Sequence, residues 1–227
     1  MKVMILAAGL GERMRPLTDN TPKPLLKVAG VPLLEHHIRR LRDAGFSELV
    51  VNVSHLAQQI LDYFDDGARW GVTINWSVED EPLETAGGIV KALNLLGTDP
   101  FAVVNGDIWT DYPFARLTDR KLSHSDGAHL VLIDSPPEHP GGDFILGADG
   151  RLSEVSSGGA GLTYAGLGIY SAGFFTDLPV CKYPLKPLLL RSIERGGLQG
   201  EYYRGDWVDV GTPQRLKSLN ERLAPNA

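Results

Sequence analysis

Short apolar runs alternate with amphipathic segments over the first half of this chain, and that alternation points to an α/β architecture on a mostly parallel sheet. Val3-Met4-Ile5-Leu6 is too short for a helix and apolar at every position, so it reads as a buried strand. From Pro32 to Ala44, Leu34, Ile38 and Leu41 recur at helical spacing, and Gly45 ends the segment. Glu48–Val53 repeats the strand signal, Ala57–Phe64 the helical one, and Val72–Val78 the strand again after Gly71. A further helix carries Ile89, Leu93 and Leu96 on one face, with Thr85 expected as its N-cap. The buried strand Phe101-Ala102-Val103-Val104 comes next. His36 and His37 are neighbours on a helix, point in different directions, and make a poor metal pair.

The first strand runs into Ala7-Ala8-Gly9-Leu10-Gly11-Glu12-Arg13-Met14-Arg15-Pro16-Leu17-Thr18, and then Thr21-Pro22-Lys23-Pro24. Small residues at 7, 8, 9 and 11 let bare backbone approach a ligand and aim N–H groups at phosphate oxygens. Two better-known glycine loops do not fit: the dinucleotide fingerprint needs glycine where Met14 stands, and the P-loop needs Gly-Lys-Ser/Thr after four residues. Charge supports a small polyanion. The chain carries a formal net charge of −6, yet residues 1–30 hold five basic side chains (Lys2, Arg13, Arg15, Lys23, Lys27) against two acidic ones (Glu12, Asp19). The acidic total and the lack of a broad basic face argue against nucleic acid and leave a nucleoside triphosphate as the expected ligand.

The strand at Phe101 ends in Asn105-Gly106-Asp107, which puts a carboxylate where ligands gather in a parallel sheet. Such a group suits Mg²⁺, or it merely caps the next helix. Near the C-terminus, Trp207-Val208-Asp209-Val210-Gly211-Thr212-Pro213 leads into a last helix to about Leu223, and spacing alone does not separate Asp206 from Asp209. Gly87 and Gly88 expose backbone N–H groups in a first helical turn, or permit close helix–sheet packing. Strand signals at Ala128–Asp134, Arg151–Val155 and Tyr164–Tyr170 surround a Pro/Gly-rich connection with Gly158, Gly159 and Gly161. A run of strands after the αβ alternation extends the sheet to hold a second substrate.

The pattern L-A-A-G-x-G-x-R-x-x-P-x-T followed by P-K-P resembles the start of the sugar-1-phosphate nucleotidyltransferases, and the resemblance extends to W-x-D-x-G-T. It implies the Rossmann-like nucleotidyltransferase fold: a mixed, mostly parallel sheet flanked by helices, with a small sugar-binding sub-region. A single domain over residues 1–227 is expected, with about 1–110 as the nucleotide half and about 111–227 as the sugar half carrying the second metal ligand. Carried over residue by residue, the resemblance implies that Ala8, Gly9, Gly11, Glu12, Gly87 and Gly88 bind the nucleotide. It makes Arg13 and Lys23 catalytic, puts Mg²⁺ on Asp107 and Asp209, and places Asn105, Asp143 and Glu154 around the sugar. Two positions depart from the family. Glu84 replaces glycine in a P-L-G-T-A-G segment, and Val155-Ser156 replaces the Lys-Pro of E-K-P, which leaves Lys23 or backbone N–H groups to anchor the sugar phosphate.

The segments E-P-L-E-T-x-G-G, V-N-G-D-x-W-T-D and E-x-Y-R-G-x-W-x-D-V-G-T point within the family to UTP and an N-acetylated sugar 1-phosphate as substrates. Guanylyl-, thymidylyl- or cytidylyltransfer, and a non-catalytic nucleotide-sugar-binding regulatory subunit, stay open as alternatives. Cys181 is the only cysteine, no apolar run approaches membrane-spanning length, and no leader is expected before the first strand. A cytoplasmic monomer with small-molecule partners, and without nucleic acid or membrane, is the expectation.

Overall fold

The computed structural model describes residues 1–122, 124–156 and 159–224, so Gly158 lies outside the described residues. In chain order the elements are β1 (Val3–Leu6), β2 (Lys27–Val28), β3 (Val31–Pro32), α1 (Leu33–Asp43), β4 (Glu48–Val53), α2 (Ala57–Phe64), β5 (Thr73–Val78) and α3 (Glu84–Leu96). They continue with β6 (Phe101–Asn105), β7 (Ile108–Thr110), β8 (Ala128–Ile133), β9 (Phe144–Leu146), β10 (Leu152–Glu154) and β11 (Thr163–Tyr170). The last are α4 (Lys186–Glu194), β12 (Leu198–Tyr202), β13 (Trp207–Asp209) and α5 (Pro213–Leu223).

Seven strands form one sheet in the order β12-β8-β11-β6-β1-β4-β5. β1 lies parallel between β4 and β6, β4 continues to β5, and β12 lies parallel to β8. β11 runs antiparallel to both β6 and β8, so it alone opposes the other strands and joins the two halves of the chain. The expected mixed, mostly parallel sheet is present.

The first strands show no polar alternation because they are buried on both faces. Val3 and Ile5 of β1 pack with Leu34, Ile38 and Leu41 of α1, while Met4 points the other way, toward Ala86 and Ile89 of α3. All three β1 residues are fully buried, and each side chain of this kind contributes about 1.5–3 kcal/mol. A third, smaller cluster joins Met14, Val28 and Leu33 to Val210, Leu216 and Leu219, and so fastens the loop after β1 to α5.

Two elements of the second half carry little sequence signal. β12 is an edge strand interrupted by Gly200 and Glu201; a Cβ at Gly200 would come 3.0 Å from the Leu130 carbonyl oxygen. Glu201 is buried there because Tyr112 Oη, Arg116 and Arg120 all bond its carboxylate at 2.5 Å. The other such element is α4. Thr85 does not cap α3: the helix begins at Glu84 after Leu83, and the Tyr183 carbonyl takes the N–H groups of Ala86 and Gly87 at 3.0 and 3.1 Å. Among the described residues, no helix is long and apolar enough to cross a membrane.

Candidate active site

At the carboxyl ends of β1, β4, β5 and β6, loops enclose a cavity of about 540 Å³. Ala8, Gly9, Gly11, Glu12, Arg13 and Lys23 line it from the segment after β1, Asn105 and Asp107 from the end of β6, and Glu84 and Thr85 from the start of α3. A Cβ at Gly9 would meet nothing within 4 Å, so this glycine faces open space. Gly11 is required for two reasons. Its φ is +67°, and a Cβ would lie 2.9 Å from Thr18 Cγ2, whose own hydroxyl donates to the Gly11 carbonyl at 2.8 Å.

A buried polar chain ties this loop to the segment before α3. Asn52 Oδ1 accepts from the Ala7 N–H at 2.8 Å, and Asn52 Nδ2 donates to Glu79 Oε1 at 2.7 Å. Glu79 Oε2 in turn accepts from the Leu83 N–H at 2.9 Å. Asn52 and Glu79 are 3% and 2% exposed, so neither can turn to water for a partner. Asn52→Leu leaves Ala7 N–H and one Glu79 oxygen without partners, at about 1–3 kcal/mol each. The expected result in a melting experiment is a Tm lower by roughly 5 °C or more; an unchanged Tm would show that the chain is not what holds the two loops together. Just beyond, Glu84 takes φ +59°, a left-handed conformation that glycine adopts without strain.

The carboxylates are positioned by a second device. Gly106 donates its N–H to the Leu6 carbonyl at 2.9 Å, and a Cβ there would come 2.6 Å from the same oxygen, so only glycine lets the β6 end turn against β1. Asp107 is next in the chain, and Lys23 Nζ donates to its Oδ2 at 2.8 Å. The lysine side chain is 11% exposed and the aspartate 40%. β7 then pairs antiparallel with β13, placing Asp209 opposite Ile108, while the Val210 N–H donates to the Asp107 carbonyl at 2.9 Å. This short ribbon joins the backbones of two segments that are distant in sequence, those of Asp107 and Asp209. His37, buried in α1, donates from Nε2 to the Ile108 carbonyl at 2.9 Å; burial pushes its pKa down to about 4 and keeps it neutral beneath the ribbon.

Arg215 Nη1 donates to Asp209 Oδ2 at 2.5 Å, and the same guanidinium bonds Glu138 at 2.5 Å. Gly211 lies on the cavity wall between Asp209 and Arg13: a Cβ there would sit 2.8 Å from both Asp209 oxygens and 3.1 Å from Arg13 Nη2. Arg13 is exposed and, among the described residues, has no carboxylate partner. The Asp206 carboxylate instead pairs with Arg222 at 3.5 Å, and its carbonyl accepts from Thr110 Oγ1 at 2.7 Å. Each of the two acids is thus paired with an arginine, Asp206 with Arg222 and Asp209 with Arg215. Among the described residues, no group of three or more His, Cys, Asp or Glu side chains is arranged around a metal position.

A second cavity of about 400 Å³ adjoins the first and shares Glu84, Thr85 and Asn105 with it. Asn105 packs over Gly166, at φ +73° in an irregular stretch of β11, where a Cβ would come 2.7 Å from the Asn105 side chain. Asp143 is on this wall, but its oxygens are engaged: Oδ2 accepts from the Tyr164 N–H at 2.9 Å, and Oδ1 pairs with His139 Nε2 at 3.1 Å. Tyr164 also lines the cavity; burial raises its pKa, and its hydroxyl lies 3.0 Å from that of Tyr170.

Four expected site residues, Asp209, Glu154, Gly87 and Gly88, line neither cavity, and Asp209 is held by Arg215 just behind Gly211. Glu154 is exposed and lines neither cavity: the β9–β10 hairpin buries Leu152 and Phe144, and Glu154 ends its strand in solvent. Gly87 and Gly88 are buried behind the wall. A Cβ at Gly87 would fall on the Cys181 carbonyl oxygen, and one at Gly88 would lie 2.8 Å from Asn52 and Glu79, so close packing accounts for both. Residues the sequence did not single out are Lys186, Leu185 and Leu189 of the second cavity, and Arg215. Lys186 and Leu189 belong to α4, which carries no motif, Leu185 directly precedes it, and Arg215 is in α5.

The sequence pattern of the family described as "Nucleotidyl transferase" matches residues 2–144. The chain is 49% identical to the N-acetylmuramate alpha-1-phosphate uridylyltransferase of Neisseria meningitidis serogroup B, over 96% of this chain and 96% of that protein. It is 36% identical to the protein of the same name from Caulobacter vibrioides, over 97% and 96%. Among solved structures, HddC of Yersinia pseudotuberculosis complexed with GMP-PN superposes with a TM-score of 0.80 at 23% identity, covering 97% of this chain and 98% of that one, and so shares the fold. The glycine loop, the two cavities and the full-length similarity agree, and the chain belongs to the nucleotidyl transferase family.

Proposed function

We propose that the protein transfers the uridylyl group of UTP to N-acetylmuramic acid 1-phosphate, giving UDP-N-acetylmuramic acid and pyrophosphate, a step of peptidoglycan recycling. The observation that carries this reading is the 49% identity to the uridylyltransferase of Neisseria meningitidis over 96% of both chains. In this reading residues of about 1–110 hold the nucleotide, and about 111–227 the sugar and the second carboxylate. A monomer in the cytoplasm suffices for it.

The reaction is in-line displacement at the α-phosphorus. An oxygen of the sugar 1-phosphate forms the new P–O bond as the bond to the bridging oxygen of pyrophosphate breaks. The nucleophile is already an anion, so the site has to supply alignment and positive charge rather than a strong base. Ala8, Gly9, Gly11 and Glu12 offer backbone to the triphosphate, Lys23 faces the phosphoryl group in transfer, and Arg13 steadies the leaving pyrophosphate. Asp107 and Asp209 are hard oxygen donors suited to Mg²⁺, which takes one or two carboxylates and completes its shell with waters and phosphate oxygens. When bound there, it supplies positive charge to the reacting phosphates. Asn105, common to both cavities, and Asp143 bound the sugar.

The test is pyrophosphate release from UTP, GTP, CTP and dTTP, each offered with N-acetylmuramate, N-acetylglucosamine and mannose 1-phosphates. UTP with N-acetylmuramate 1-phosphate is expected to be fastest. A strong preference for another base, or for a sugar without a 2-acetamido group, overturns the proposal.

A further inference from the structure

The wall of the second cavity carries three charged side chains, Glu84, Asp143 and Lys186. Two are accounted for by the protein. Asp143 is bonded through both oxygens, and Glu84 lies 4.0 Å from Lys182. Lys186 is exposed and, among the described residues, has no hydrogen bond or ion pair. Its place makes that solitude costly. It is the first residue of α4, the preceding Leu185 provides no side-chain cap, and Pro187 has no N–H to offer. A cation at the positive end of a helix dipole works against the helix unless an anion joins it.

We propose that Lys186 is the residue that selects the sugar, by binding the lactyl carboxylate of N-acetylmuramic acid 1-phosphate. This rests on the substrate reading above. That sugar differs from N-acetylglucosamine 1-phosphate by one carboxylate, and a carboxylate entering beside Asp143 and Glu84 meets repulsion unless a cation offsets it. The sugar 1-phosphate is not the anion for this lysine. It must reach the α-phosphorus, and Arg13, Lys23 and Asp107 line the first cavity, whereas Lys186 lines the second alone. A ring lying past Asn105, with its phosphate in the first cavity, leaves its other substituents in the second. Leu185, Leu189 and Phe144 line the same cavity and offer apolar surface to the sugar ring.

The experiment compares Lys186→Met and Lys186→Arg with the unaltered enzyme, using UTP and either N-acetylmuramate or N-acetylglucosamine 1-phosphate. Lys186→Met is expected to lower kcat/KM for the N-acetylmuramate substrate about ten- to hundredfold, mostly through KM, because a charge-assisted hydrogen bond is lost. N-Acetylglucosamine 1-phosphate use should change by less than about twofold, since that sugar has no carboxylate to lose. Lys186→Arg should keep most of the preference. Lys186→Met should melt at the same temperature or higher, because a cation leaves the helix N-terminus. Equal losses with both sugars would make Lys186 a phosphate anchor or a structural residue and overturn the proposal, as would no change with either. An unaltered enzyme that rejects N-acetylmuramate 1-phosphate while turning over another sugar overturns the substrate reading itself, and it shows before any variant is made.

Discussion

Asp107→Asn and Asp209→Asn are each expected to cut turnover by about a hundredfold or more while the chain stays folded. Each change keeps the shape of the side chain and, in the proposed reaction, removes one anionic oxygen ligand from the metal. The fold has little reason to suffer. Asp107 is 40% exposed on its side chain, and the turn beneath it is fixed by the Gly106 N–H and by the backbone bond from Val210. At Asp209, Arg215 keeps Glu138 as a partner after the substitution. Rate loss with an unchanged Tm, together with a higher Mg²⁺ requirement, is the signature of a lost metal ligand. Asp206→Asn is the control and should be close to normal, because its carboxylate pairs with Arg222 and its structural contact is through the carbonyl. A large loss in Asp206→Asn with a near-normal Asp209→Asn would reverse the choice between the two.

The parts of this site differ in how plainly the sequence announces them, and the difference is physical. Strands β1, β4 and β6 are buried on both faces, so their apolar runs stand out. The glycine loop is visible because backbone that approaches a ligand must shed side chains. The pairing of the Asp107 and Asp209 segments is a different matter. It depends on β7 and β13, two three-residue strands too short for any periodicity. Gly87 and Gly88 look the same in sequence whether they face a ligand or the Cys181 carbonyl and the Asn52–Glu79 pair. Glu154 matches a family pattern whose next two residues are already lost here, and the hairpin that carries it turns it to solvent. Lys186 has the weakest signal of all, since a lysine early in a helix is common on solvated surfaces and only the cavity beside it gives it meaning.

Lys23→Met is the second substitution with a large expected effect, a fall of about a hundredfold in kcat with a smaller rise in KM for UTP. Methionine keeps most of the length of the side chain and removes its charge. Lys23 is 11% exposed and 2.8 Å from Asp107, so the site loses a cation that is shielded from water and already aligned. In the proposed reaction its charge counts most as negative charge redistributes around the α-phosphorus, and for that reason the loss should fall on kcat. Arginine should restore little. The Lys23 β-carbon is 3.5 Å from where a Cβ on Gly11 would be, and a planar fork started from that packed position does not reach the point held by a compact ammonium. Because Lys23 and Asp107 are in contact, Lys23→Met combined with Asp107→Asn should lose less than the two single losses multiplied together. If Lys23→Met raises only KM, the lysine is a binding contact; if the double variant is fully multiplicative, the pair does not act as a unit, and the bond between them has no part in turnover.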